Sequence, residues 1–599
     1  MTPSTEIRAR IDTLRAAMHS QGFYAYMVPT SDPHLSEYPP LYWKGREWLS
    51  GYTGSAGTLI VTADFTGLWT DARYWEQALL QLEGSGVTLM KTPGTASTLH
   101  LDWLAEHCPP GSVLGVDGDV LGLSAMRMLE AALMPRRITL RTDVDLLQSV
   151  WPDRPALPTE PIFAHDAPYA SLTRAEKLAQ LRREMRTRGA AWHLISTLDD
   201  IAWLLNLRGS DVSYNPVFVA HALIDQASVQ LFVDAAKVPK ALQMSLREDG
   251  VELRPYGDTA TTLAALPADA TVLLDPRRVT LGVRRALPDT VVVVETVNPT
   301  TLAKARKSEQ DAQHIREAME QDGAALCEFF AWFEQAVGQE RITELTIDEK
   351  LTEARMRQLG FVSLSFSTIA GMHANSALPH YRASQERHAV VEGDGFLLID
   401  SGAQYLNGTT DITRVLGIGT PSEAQKQDYT AVLKGVIALS RAQFPRGTRS
   451  PLLDVIARSQ VWAMGADFGH GVGHGVGYFL NVHEGPQVIS AFAAPEPHTA
   501  MEPGMLTSVE PGIYRPGKWG VRLENLVLNV PAETTELGEF LKFETMTLCP
   551  FDTRCMLRTA LRADEIDWLN QYHAKVRARL LPRVEGDAQA WLLARTEPY

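Results

Sequence analysis

The chain has 599 residues, 45% hydrophobic and 21% charged, an ordinary balance for a folded protein but too long for a single core. Its 56 basic and 71 acidic residues give a formal charge of −15, which argues against general affinity for nucleic acid or for an anionic membrane. The four cysteines, Cys108, Cys327, Cys549 and Cys555, form no CxxC pair, so reduced thiols and a cytoplasmic location are expected, a Cys549–Cys555 disulfide being the weaker alternative.

The first twenty residues, MTPSTEIRARIDTLRAAMHS, are amphipathic and charged with no apolar core, so no secretory signal is expected. No apolar run reaches the length of about 18 residues that a membrane span requires. Ile7, Ile11, Leu14 and Met18 follow helical spacing, and Gly22 then leads into a strand-like stretch at 24–28. Five prolines in the nineteen residues 150–168 mark a linker that no helix or central strand would tolerate. Beyond it the theme repeats: an amphipathic stretch at 172–188, Gly189, and an apolar run at 191–195. Two similar α/β domains in tandem are expected at 1–154 and 155–303.

A third region, 304–599, opens with a predicted helix at 309–337 whose Ile315, Met319, Ala324, Leu326 and Phe330 supply a buried face. Short apolar strands such as 396–399 and 521–523 then alternate with helices at 423–441 and 451–464. The fold class expected overall is α/β (α+β). All five candidate metal ligands fall in this third region and the first two domains hold no comparable cluster, so those domains are expected to serve substrate access, specificity or assembly.

Three segments carry those residues. In IDSGAQYLNGTTDITR, Asp400 ends one strand and Asp411 begins another, with the hairpin signal Asn407-Gly408 between them. A plain two-residue turn at Asn407-Gly408 pairs 400 with 415 and 404 with 411, which leaves the aspartates about 13 Å apart. A bulge or irregularity is therefore expected, with Gly402 its best place. In GHGVGHGVGYFLNVHEGP, glycines at every second position make a helix costly and fit a strand or loop packed against another backbone. This segment holds His470, His474 and His483. In SVEPGIYRPGKWGVRLEN, Glu510 precedes the turn signal Pro511-Gly512, while Arg522 and Glu524 share a strand face opposite Val521 and Leu523. Arg522 suits orientation of a ligand carboxylate, although a surface ion-pair face is the plainer reading of that strand alone.

Asp400, Asp411, His474, Glu510 and Glu524 place four carboxylates and one imidazole together. Gathered without cations they would repel and take up protons. Two divalent ions would neutralise them and could hold a bridging hydroxide.

This set, in this order, resembles the creatinase-like "pita-bread" metallopeptidases, a family that includes methionine aminopeptidases, prolidases and aminopeptidase P. The segments YMVPTSDPHLSEY, GYTGSAGTLIVT, LWTDARYWEQA, LDDIAWLLNLRGSDVSYNPVF and EIDWLNQYHAKVR are similar to the long three-domain Xaa-Pro aminopeptidases of that family, so the likeness covers nearly the whole chain. The resemblance implies two creatinase-N-like α/β domains followed by a pita-bread catalytic domain with a C-terminal extension. It implies two metal ions held by Asp400, Asp411, His474, Glu510 and Glu524, with manganese favoured and Co²⁺, Fe²⁺ or Zn²⁺ as alternatives. Glu510 then serves as general base and acid as well as ligand. His380 corresponds to a substrate-binding histidine that stabilises the transition state, His483 to a substrate-contacting histidine linked to proton movement, and His470 to the pocket wall. Arg73 matches an arginine implicated in peptide binding, and Arg522 faces the site. Ser376 departs from the family's usual glycine, which bears on the loop before His380.

The implied reaction is release of the N-terminal residue from peptides with proline second, by attack of the metal-bridging hydroxide. A homodimer is implied, with no nucleic-acid or membrane partner. A prolidase, a methionine aminopeptidase, a metal-free creatinase and a non-catalytic binding module are the rivals.

Overall fold

The computed structural model describes residues 2–94 and 97–599. Two compact units divide the chain, one ending at Leu302 and the next beginning at Ala303. Among the described residues no helix is long and apolar enough to cross a membrane. All four cysteines are free and buried, so the Cys549–Cys555 alternative is not formed.

The first unit contains two six-stranded sheets built to one plan. In each, the first strand pairs antiparallel with the second and parallel with the fifth, Ala25–Pro29 against Thr58–Thr62 and Val113–Gly115 in one sheet. In the other, Trp192–Ile195 pairs with His221–Ile224 and with Thr271–Leu274 in the same senses. Spatial order runs 4-3-2-1-5-6 in both sheets. A helix precedes each first strand. Ser4–Ser20 buries Ile7, Ile11, Leu14 and Met18, and Arg174–Thr187 starts at a Thr173–Glu176 capping box. The tandem pattern in the sequence therefore reflects a repeated topology.

The second unit begins with the helix Glu309–Ala336, capped reciprocally by Ser308 and Asp311. Its buried face includes Ile315, Met319, Ala324, Leu326 and Phe330. A six-stranded sheet contains Gly473–Gly475, Glu484–Ile489, Leu506–Val509 and Asn525–Thr535. A three-stranded sheet places Gly395–Ser401 between Ile369–Met372 and Ile412–Ile418. The hairpin Gly512–Arg515 with Trp519–Arg522 completes the frame of the site. The helix Glu423–Ser440 runs close to its expected span, whereas the stretch expected at 451–464 divides into a 3-10 turn, Ser450–Leu453, and a helix, Asp454–Trp462. Pro451 at the first turn accounts for that start.

Candidate metal centre

The hairpin that carries the two aspartates differs from its expected register. Asp400 faces Thr413, Ser401 faces Ile412, and beyond them Gln404 faces Thr409 and Tyr405 faces Gly408. The turn is thus Leu406-Asn407, not Asn407-Gly408, and the pairing of 400 with 415 does not occur. Neither turn residue takes a positive φ, so the Asn-Gly signal does not produce the mirror-image turn it usually marks. Asp411 falls opposite Gly402, which makes it the diagonal neighbour of Asp400 at about 7–8 Å instead of about 13 Å. The ladder is interrupted at Gly402 without a change of register. A Cβ there would lie 2.0 Å from the carbonyl oxygen of Thr410 and 2.2 Å from Ser365 Oγ. Ser365 closes the gap by donating from its amide to Gly402 O (3.0 Å) and from its hydroxyl to Thr410 O (2.8 Å).

The glycine-rich segment is the close-packed strand that its pattern suggests. A Cβ on Gly473 would meet Ser508 O at 1.9 Å, and one on Gly475 would meet Glu484 O at 2.1 Å. This close approach brings His474 against the neighbouring strands. Its Nδ1 lies 2.9 Å from Gly475 O, an oxygen that can only accept, so Nδ1 carries a proton and Nε2 is the ring nitrogen turned to the carboxylates. Nε2 lies 3.6 Å from Asp411 Oδ2 and 3.3 Å from Glu510 Oε1.

Glu510 follows the strand Leu506–Val509, its amide donating to Val472 O at 2.7 Å and its Oε1 accepting from Ser508 Oγ at 3.1 Å. Glu524 sits where the chain leaves Trp519–Arg522 for Asn525–Thr535, and its Oε2 accepts from Thr413 Oγ1 at 2.8 Å. Arg522 donates to Asp400 Oδ2 at 2.6 Å and to the Tyr514 hydroxyl at 2.7 Å. Val521 and Leu523 are fully buried on the other side of the strand, as alternation requires.

Ligand atoms of Asp411, His474 and Glu524 lie within 4.8 Å of one another. Burial first, then the charges of Asp400 and Glu510, raise Asp411 well above the ordinary aspartate range. Glu524 is raised likewise, by burial and then by the charges of Asp411, Glu510 and Asp400. Glu510 is pushed up to about 7, chiefly by burial, with Asp400 adding and Arg522 opposing. Asp400 Oδ1 and Glu524 Oε1 are buried with no hydrogen-bond partner. Orphaned carboxylate oxygens, an imidazole nitrogen held toward two more carboxylates and a surplus of buried negative charge together fit divalent cations.

His470 and His483 flank this cluster. The His483 ring lies 4.3 Å from that of His474, centroid to centroid, at 74°. His470 Nδ1 donates to Gly471 O (2.8 Å) and its Nε2 accepts from the Tyr514 hydroxyl (2.9 Å). Tyr514 thus links His470 to Arg522, a role that sequence reading missed. Its signal was there: Gly512 pairs with Arg522 in the hairpin, so Tyr514 and Arg522 share a face. Thr413, between Glu524 and Arg522, was missed as well because threonine in a strand is commonplace.

His380 is partly buried and follows the 3-10 turn His373–Ala377. Ser376 in that turn donates its hydroxyl to His373 O (2.5 Å) and accepts from Gly520 N (2.7 Å), so it fastens the loop to the strand bearing Arg522. Arg73 belongs to the other unit, paired there with Asp71 at 2.8 Å and lying over the Tyr74 ring.

The chain matches known proteins along nearly its whole length. The model of metallopeptidase family M24 matches residues 313–530, and that of the C-terminal region of the same peptidases matches 539–599. Two creatinase/prolidase N-terminal domain models match 10–145 and 153–311. Aminopeptidase P2 of Arabidopsis thaliana is 38% identical over 96% of this chain and 86% of its own length. Xaa-Pro aminopeptidase 1 of Dictyostelium discoideum is 36% identical over 97% and 94%. The crystal structure of X-prolyl aminopeptidase from Caenorhabditis elegans, a cytosolic enzyme with a di-nuclear active site, superimposes over 100% of both chains with a TM-score of 0.93 and 32% identity. The chain therefore belongs to the M24 metallopeptidases that carry creatinase/prolidase N-terminal domains.

Proposed function

We propose that this protein is an Xaa-Pro aminopeptidase that releases the N-terminal residue from peptides with proline in second place. The hydrolytic part is carried by one observation, the convergence of Asp411, His474 and Glu524 within 4.8 Å, with Glu510 at 3.3 Å from His474. Proline specificity is supported by the full-length likeness to Xaa-Pro aminopeptidases, N-terminal domains included.

Asp400, Asp411, His474, Glu510 and Glu524 hold two divalent ions in this reading, manganese by preference since the donors are mostly oxygen. Bound there, the ions supply a hydroxide nucleophile at neutral pH and a Lewis acid for the scissile carbonyl.

The chain's own groups do the rest. Arg522 holds Asp400 in its ligating rotamer through the 2.6 Å bond and is itself steadied by Tyr514. The Glu510 carboxylate takes the nucleophile's proton and returns it to the proline nitrogen, which as a tertiary amide cannot leave unprotonated. His380 donates to the developing oxyanion, His483 contacts the substrate and moves a proton or polarises the scissile carbonyl, and His470 walls the site. Arg73 binds the peptide. Domain limits of 1–154, 155–303 and 304–599, a homodimer and a cytoplasmic location complete the proposal. The last rests on the neighbour described as cytosolic.

A substrate panel tests the reading. An Xaa-Pro-Yaa tripeptide, an Xaa-Pro dipeptide and a Met-Ala peptide separate aminopeptidase P, prolidase and methionine aminopeptidase activities. The tripeptide should be cleaved at least tenfold faster than the other two, and preference for either of those would refute the assignment. Light scattering tests the dimer.

A further inference from the structure

Glu344 lies in the first turn of the helix Glu344–Met356 and is 1% exposed. Its carboxylate collects donors from one stretch of chain only. Oε1 accepts from Met372 N at 2.7 Å and Asn375 Nδ2 at 2.9 Å, and Oε2 accepts from the Tyr381 hydroxyl at 2.8 Å and Ala389 N at 2.7 Å. Four donors fill the acceptor capacity of an ionised carboxylate. Two of them are the ends of the loop 373–388, and two are side chains within that loop. His380 lies next to Tyr381. The neighbouring backbone repeats the clamp: Glu344 N donates to Ala389 O at 3.1 Å, and Val391 N to Ile342 O at 2.9 Å. At the loop's start His373 adopts φ 52°, a left-handed conformation that costs energy in a residue with a side chain and persists where surroundings impose it. Burial and the Glu344 charge push the Tyr381 hydroxyl up, which keeps it a donor.

We infer that Glu344 is a positioning residue for His380, its carboxylate setting the conformation of the loop that presents this histidine to substrate. The inference rests on the proposed role of His380. A residue that merely stabilised the fold would be insensitive to what stands at 380. One that acts through the histidine loses its effect once the imidazole is gone.

The test is a double-mutant cycle on the full-length, metal-loaded protein. Glu344→Gln keeps the shape but turns one acceptor oxygen into a donor facing other donors. It should lower kcat on an Xaa-Pro-Yaa peptide at least tenfold, with KM within twofold and metal content unchanged. In a His380→Ala background the same change should cost less than twofold. Equal losses in both backgrounds, or wild-type kcat for Glu344→Gln, would overturn the inference. If Glu344→Gln does not fold, Tyr381→Phe with Asn375→Ala removes the two side-chain donors and takes its place in the cycle under the same criteria. Wild-type activity in His380→Ala would overturn the role of His380 as well, whereas a normal loss there with a silent Glu344→Gln overturns this inference alone.

Discussion

Replacing Glu510 by glutamine should inactivate the enzyme and, in the metal-free protein at neutral pH and above, stabilise it. Burial and Asp400 move the Glu510 pKa from an ordinary 4.5 up to about 7 in the metal-free cluster. Each tenfold change in proton affinity is worth about 1.4 kcal/mol, so an ionised Glu510 costs the metal-free fold about 3 kcal/mol. The folded state holds this proton more tightly than the unfolded chain does. The cost is therefore absent below pH 4.5, builds between 4.5 and 7, and is complete above 7. A glutamine side chain at this position carries no charge at any pH. In chelator-treated protein, urea denaturation should find Glu510→Gln equal to wild type near pH 4.5 and more stable by about 3 kcal/mol at pH 8. At about 2 °C per kcal/mol for a unit of this size, Tm should rise by roughly 6 °C. With metal restored the sign should reverse, since the glutamine is the poorer ligand. A metal-free Glu510→Gln that is no more stable than wild type at pH 8 would refute the reasoning, as would full turnover by the metal-loaded variant.

Other expectations follow from individual contacts. Asp411→Asn should lose metal together with activity, and elemental analysis that finds both ions at full occupancy in this variant would contradict the ligand assignment. Arg522→Met leaves Asp400 Oδ2 buried without its 2.6 Å partner. In chelator-treated protein it should cost about 3–5 kcal/mol in urea denaturation, with Arg522→Lys recovering only part because it lacks the second donor to Tyr514. Lys307 bonds to Glu484 Oε1 and to Val476 O, both at 2.7 Å, between His474 and the residue after His483. Lys307→Met should destabilise by about 3 kcal/mol in urea denaturation, although Lys304 remains 3.7 Å from Glu484 Oε2. A Lys307→Met protein as stable as wild type would contradict this.

How much of this was legible in the sequence depended on whether a residue's role is local. The helix Ser4–Ser20, the strand at Phe396 and the helix Glu309–Ala336 follow from spacing within a few residues, so sequence and structure coincide there. The glycine alternation was equally readable, because only a close backbone neighbour makes every second side chain forbidden. The hairpin register was not. Asn407-Gly408 suggested one turn, yet Gly408 packs 3.0 Å (as its Cβ would lie) from Ala318 on the long helix, and tertiary packing placed the turn one residue earlier. Glu344 was invisible for a related reason: its partners lie far away in sequence, and a single glutamate at a helix start reads as a solvated cap residue.

The central claim is a two-metal centre that removes a residue preceding proline. The most direct test measures, on the same purified sample, bound metal per chain and release of the first residue from an Xaa-Pro-Yaa peptide as chelator is titrated in. The account predicts two divalent ions per chain and release of the N-terminal residue that disappears as the ions leave and returns when manganese is restored. Release that persists with both ions removed would contradict it.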